Sequence, residues 1–205
     1  NREQKRKYFG AGNADVAKPW LNQIYLEVDS YRNTLKHELV HIFGASIGTT
    51  PFRVAKNINF AMIEGFAMAY ENDFDEKPVH YAAKMAKEND YKIPLEDLFG
   101  SFSFFSVNSS MAYTYAGSFV KYLNDKYGMA KVKKLYPTLD FEGIYNKSIN
   151  ELDQEYNTFL DSIDFQINKN YSQLYFGYKP ITKKICLRYS AELNKKAEHY
   201  FNIGA

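Results

Sequence analysis

His37-Glu38-Leu39-Val40-His41 constrains this chain more than any other stretch. On an α-helix, residues four apart share a face, so both imidazoles can reach one metal ion. Glu38 follows the first of them directly and can address a water on that ion. The spacing is that of a zinc hydrolase. The chain has four histidines, and two of them fall in this one turn.

Two histidines do not make a stable catalytic zinc site. A third protein ligand is needed, with the fourth position left to water. The segment Met62-Ile63-Glu64-Gly65-Phe66-Ala67-Met68-Ala69-Tyr70-Glu71 supplies a candidate, because Glu64 is a carboxylate flanked by apolar residues. Gly65 and Ala67 are small and would let this second helix approach the first closely. The stretch from His41 to Glu64 is long enough for a loop and an antiparallel return. Glu71 lies two turns beyond Glu64 on the same face and could accept a hydrogen bond from the outer nitrogen of a zinc-bound His, fixing its tautomer. A His₂Glu set with an open position favours one Zn²⁺ over iron or manganese. Plainer readings stand beside these. The histidines could be hydrogen-bonded helix residues, Glu64 could pair with a buried Lys or Arg, and Glu71 could be a solvated helix-end carboxylate.

The 205 residues fit one large domain, or one domain with an appendage, and need no disulfide staple. The single Cys186 could not form an internal one and is read as buried and apolar. A net charge of +2, with Lys and Arg spread along the chain, argues against a nucleic-acid surface. No run of 18 apolar residues is present, so no membrane span is expected in this chain. The chain begins at Asn1, which points to a processed protein or an excised fragment.

Along the chain, residues 1–19 read as a polar loop marked by Gly10 and Gly12. Asn22 to Val28 alternates apolar and polar residues as a half-buried strand does. Asp29-Ser30 offers a cap for a helix from Tyr31 to about Phe43, stopped at Gly44. Further helices are expected from about Ile58 to Tyr70 (capped by Asn57 or Asn59), from Pro78 through His80 to Glu88, over Pro94 to Leu98, and from Asn108 or Ser109 to Tyr127. Others follow over Gly128 to Tyr136, over 149–163 and from Pro180 to about Phe201. Ser101 to Val107 is β-leaning, and Tyr171 to Tyr178 reads as extended. His80 reads as a surface or cap residue, and His199 lies far along the last helix. The expected class is α+β, mostly α, with a small N-terminal sheet and a helical C-terminal part. A catalytic domain over 1–165 and a helical extension over 166–205 are expected.

The pair His37-Glu38-x-x-His41 and Glu64-Gly65-x-Ala67 resembles the gluzincin metallopeptidases, in particular the peptidase MA-like group, with more distant similarity to aminopeptidase-N-type enzymes. Tyr113-Thr114-Tyr115-Ala116-Gly117-Ser118-Phe119-Val120-Lys121-Tyr122-Leu123, Tyr127-Gly128 and Ser148 to Leu152 extend the likeness over roughly residues 10–163. The resemblance implies a zincin-like fold. In aminopeptidase-N-type relatives a Tyr four residues before a Phe on the later helix stabilises the transition state. Tyr115 takes that position before Phe119, and Tyr113 is the runner-up. Tyr115 also shares a stripe with Met111, Phe119 and Tyr122, so core packing is an open reading for it. Those aminopeptidases carry Gly-x-Met-Glu-Asn, whose Glu holds the free amine. Here the comparable place reads Gly10-Ala11-Gly12-Asn13-Ala14-Asp15, so the resemblance does not extend to aminopeptidase specificity; a second departure, Ile63 in place of the usual polar residue before the ligand Glu, carries no reading.

The expected function is a zinc-dependent metallopeptidase of endopeptidase type, acting on a peptide or protein. Zinc on His37, His41 and Glu64 polarises a water, Glu38 serves as general base and acid, and Tyr115 steadies the oxyanion. Main-chain bonding to the strand Asn22 to Val28 would hold the substrate extended. Two other functions compete. One is a metal-holding module that grips a peptide or partner without turnover. The other is a zinc hydrolase of modified peptides, such as glycosylated ones, which an aromatic content of 17% would suit. Relatives are often exported or membrane-tethered, which implies an extracytoplasmic parent; oligomeric state is not legible.

Overall fold

Val16–Lys18 (β1) and Gln23–Tyr25 (β2) pair antiparallel, with Val16 opposite Tyr25, Ala17 opposite Ile24 and Lys18 opposite Gln23. The 3₁₀ turn Pro19–Leu21 joins them, closed by Asn22 in the left-handed region at φ 53°. The computed structural model describes residue 7 and residues 15–26, 31–71, 77–100, 104, 108–165 and 169–177. The stretch expected to be loop up to residue 19 therefore contains a strand. Val-Ala-Lys is too short to display a period of two. The expected strand Asn22 to Val28 is realised over Gln23–Tyr25, and residues 27–28 lie outside the described residues. So do Gly10 and Gly12, Asp29-Ser30, the run 101–107 apart from Phe104, and the expected helix from Pro180 to Phe201 with Cys186 and His199.

Helices make up most of the rest. They are α1 (Tyr31–Gly44), α2 (Phe60–Glu71), α3 (Val79–Glu88), α4 (Leu95–Phe99), α5 (Ser109–Tyr127), α6 (Met129–Thr138), α7 (Phe141–Tyr145), α8 (Ile149–Ser162) and α9 (Lys169–Phe176). The architecture is α+β and mostly α, with a small sheet near the N-terminus. Side-chain caps fix several starts. Asn59 Oδ1 accepts from the Met62 N–H at 2.9 Å, and Asn108 Oδ1 from that of Met111 at 3.3 Å. Ser148 and Glu151 form a reciprocal capping box at the head of α8. Each such cap is worth about 1 kcal/mol. No helix among the described residues is long and apolar enough to cross a membrane.

α9 corrects the extended reading of Tyr171 to Tyr178. Aromatic residues favour strands in isolation, but here tertiary packing decides. Ser172 and Phe176, four apart and therefore on one face, are both buried. The Ser172 hydroxyl donates to the Met85 carbonyl at 3.3 Å and accepts from Asn89 Nδ2 at 3.0 Å, which ties α9 to α3 and the residue beyond it.

α2 is apolar nearly all round. Ala61, Met62, Ile63, Gly65, Phe66, Ala67, Met68 and Ala69 are all buried, as expected of a helix enclosed by its neighbours. It packs against both α1 and α5. A Cβ on Gly65 would stand 2.9 Å from the Ala116 backbone, and one on Gly117 would stand 2.4 Å from Met68 Cβ. The close approach that Gly65 permits is therefore to α5, not to α1 as its sequence context implied. Beyond α5, Tyr156 and Leu160 of α8 complete the core, with the Phe119 and Tyr156 rings 5.5 Å apart. Buried Lys84 of α3 donates to the Leu160 and Asp161 carbonyls at 3.1 and 3.3 Å, supplying partners for the open end of α8.

Candidate metal centre

α1 presents His37 and His41 on one face, and α2 brings Glu64 against them. One donor atom from each lies within 4.8 Å of the other two. His37 Nε2 is 3.2 Å from Glu64 Oε2, and His41 Nε2 is 3.5 Å from the same oxygen. Tetrahedral ligands at zinc bond lengths of 2.0–2.1 Å stand about 3.3 Å from one another. The two measured separations match that figure, and the donor set is two imidazoles and a carboxylate. The residues fit a zinc ion.

Glu71 Oε2 lies 2.9 Å from His37 Nδ1, the nitrogen turned away from Glu64. One imidazole thus spans two carboxylates. Burial pulls the His37 pKa down, but the hydrogen bonds to Glu64 and Glu71 outweigh it and raise the value to about 10. Burial alone would raise Glu64; hydrogen bonds from His37 and His41 bring it to about 2. The two shifts share one cause: the carboxylates favour a proton on His37, and the imidazoles favour an ionised Glu64.

Glu38 projects beside this set and is 8% exposed. Burial raises its pKa, and the neighbouring His41 and His37 offset part of the rise. The Ala17 backbone on β1 lies close enough to its carboxylate to lower the value slightly, a neighbour that no sequence pattern announced. The two candidate tyrosines stand in different places. Tyr115 is 1% exposed with its hydroxyl unpaired, its ring lies 6.5 Å from that of Tyr156 in the core, and it does not line the cleft at the metal centre. Tyr113, two residues earlier on α5, lines that cleft instead. Its ring centroid is 6.5 Å from that of His37, and its hydroxyl lies near the Glu64 carboxylate. Burial, then the nearby Glu64 carboxylate, push its pKa well above the usual phenol range, so it remains a donor.

Comparison with known families bears on this geometry. The family model of the Peptidase MA superfamily matches residues 21–162, which contain His37, Glu38, His41, Glu64, Glu71 and Tyr113. The chain belongs to the Peptidase MA superfamily. It is a metallopeptidase-like domain, and peptidases of this superfamily are typically metal-dependent. Neither among curated proteins nor among solved structures does anything match.

In this Peptidase MA domain the centre opens into a cleft of about 440 Å³. β1 borders it through Val16 and Ala17, beside Asp15, and Gln23–Tyr25 of β2 do not line it. Ile63, the unusual residue before Glu64, lines the cleft too. His80 lies elsewhere and is not the surface residue its position implied. Its side chain is 12% exposed, its Nδ1 lies 2.8 Å from Ser118 Oγ, and its ring packs 4.8 Å from Phe159.

Proposed function

We propose that the chain is a zinc-dependent peptidase that hydrolyses peptide bonds at this centre. The observation that carries the reading is the convergence of His37 Nε2, His41 Nε2 and Glu64 Oε2, from two helices, at spacings suited to one tetrahedral ion. A bound zinc supplies Lewis acidity and lowers the pKa of a water. Glu38 is the residue that would take a proton from the attacking water and deliver it to the leaving nitrogen, and burial raises the affinity of its carboxylate for protons. Tyr113, held protonated beside Glu64, donates to the oxygen that gains charge as the carbonyl is attacked. Glu71 orients His37 from behind. The main chain of β1, bordering the cleft, aligns an extended substrate.

A desolvated Glu38 lining the cleft beside the two imidazoles supports turnover over a binding module that only holds metal. The test is Glu38→Gln assayed beside the wild type, with zinc content measured on both. Stoichiometric zinc in both chains is expected, with turnover in the variant lower by roughly 10²–10⁴. A wild-type chain that purifies without metal and gains no chelator-sensitive activity on adding zinc would end the proposal, as would full activity in the variant.

A further inference from the structure

Four large apolar side chains stand exposed around the cleft: Trp20 at 41%, Phe52 at 46%, and Ile58 and Phe60 each at 40%. Such residues scattered singly on a surface mean little. Gathered around one concavity, they mark a binding site. They come from separate stretches of chain: Trp20 from the 3₁₀ turn after β1, Phe52 and Ile58 from the connection between α1 and α2, and Phe60 from the start of α2. Trp20 and Phe52 meet edge to face at 5.2 Å and 73°. Arg53 Nη1 donates to Asn22 Oδ1 at 3.3 Å and ties the same two stretches together.

Ile58 adds a separate observation. Its φ is 51°, in the left-handed region that a β-branched residue avoids. Asn or Gly would sit there without strain. Strain of this kind persists where the surroundings impose it, and it clusters at functional sites. Here it keeps an exposed apolar side chain on the cleft.

We propose that this wall is the specificity subsite, and that it selects peptides with a bulky apolar side chain, aromatic or branched, beside the bond that is cut. The proposal rests on the peptidase reading above. A volume of about 440 Å³ is near the lower end for ligand pockets, so it takes one large side chain with a short run of extended main chain. Phe52, Ile58 and Phe60 offer a glycan no hydrogen-bond partner of their own, and a glycosylated peptide is the competing occupant in the titration.

Trp20 is the sole tryptophan, so tryptophan emission reports on this wall alone. The zinc-loaded Glu38→Gln chain is titrated with short end-blocked peptides that differ at one residue: Phe, Leu, Ala or glycosylated Ser. In parallel the wild type digests a random peptide library. The Phe and Leu peptides should shift the Trp20 emission to the blue and bind at least about tenfold tighter than the Ala peptide. Adding Ile58→Asn or Phe52→Ala to that chain should each shrink this preference, with zinc content unchanged. Equal affinity for Phe and Ala, tightest binding of the glycosylated peptide, or a preference that survives both substitutions would overturn the subsite. Library cleavage without side-chain preference would overturn the subsite and leave the peptidase standing. Neither binding nor cleavage of any peptide would overturn both.

Discussion

Gly65 and Ala116 meet so closely that a single methyl group on the glycine would stand 2.9 Å from the Ala116 carbonyl carbon and oxygen. This contact seats α2 on α5. It also sets the site, because Glu64 precedes Gly65 and Tyr113 lies one turn before Ala116. Gly65→Ala has no flexible side chain to displace, so the helices must part. Overpacking of this kind costs about 1–3 kcal/mol. In a chain of this size a loss of about 2 kcal/mol lowers Tm by roughly 4–8 °C. Calorimetry of the variant checks it, and an unchanged Tm would mean that the contact is not close-packed in solution.

Glu71 Oε2, 2.9 Å from His37 Nδ1, fixes which nitrogen of that ring faces Glu64. Partners of this kind typically contribute 10- to 100-fold to metal affinity. Glu71→Ala is therefore expected to weaken zinc binding by about 10–100-fold. Glu71→Gln keeps an acceptor oxygen and should lose less. Competition against a chromophoric chelator measures both, and an alanine variant with wild-type affinity would remove Glu71 from the centre.

The legible parts of this site are the local ones. His37, Glu38 and His41 are read from the spacing of a single helix turn, and Glu64 from a charge inside an apolar helix. Tyr113 and Tyr115 could not be separated in this way. Residues two apart on a helix point about 200° away from each other, so one faces the cleft and the other the core. Which is which depends on how α5 is rolled against α2, and Gly65 and Gly117 set that roll across long sequence separations. The placement of Ala17 beside Glu38 in the cleft and the left-handed Ile58 are likewise tertiary in origin, and no periodicity encodes them. α9 is the same lesson in reverse: buried Ser172 and Phe176 overrule a strand-like composition.

The contrast between the two tyrosines can be measured. Tyr113→Phe removes the donor beside Glu64 and should lower kcat by about 10²–10³, with zinc content and KM little changed. Tyr115→Phe removes a buried hydroxyl that has no partner, so it should leave kcat intact and stability equal or slightly higher. Steady-state kinetics on the two variants decide the assignment, and a larger kcat loss from Tyr115→Phe would restore the alternative.

His80 ties stability to pH in a region remote from the metal centre. Burial lowers its pKa to about 4, and Lys121 adds to the effect. Asp125, whose Oδ2 is 3.6 Å from His80 Nε2, opposes it only in part, while Ser118 and Phe159 complete the surroundings. The unfolded chain binds the proton near pH 6.5 and the folded one only near pH 4. The contribution is thus fully present above pH 6.5 and is lost as the pH falls toward 4. The gap amounts to roughly 3 kcal/mol across that window. His80→Asn keeps a partner for Ser118 and removes the titration. Urea unfolding of both chains at pH 7 and pH 4.5 should show the wild type losing more stability than the variant by roughly two thirds of that amount, since pH 4.5 stops short of the folded pKa. Equal losses in the two would show that His80 is already protonated in the folded protein.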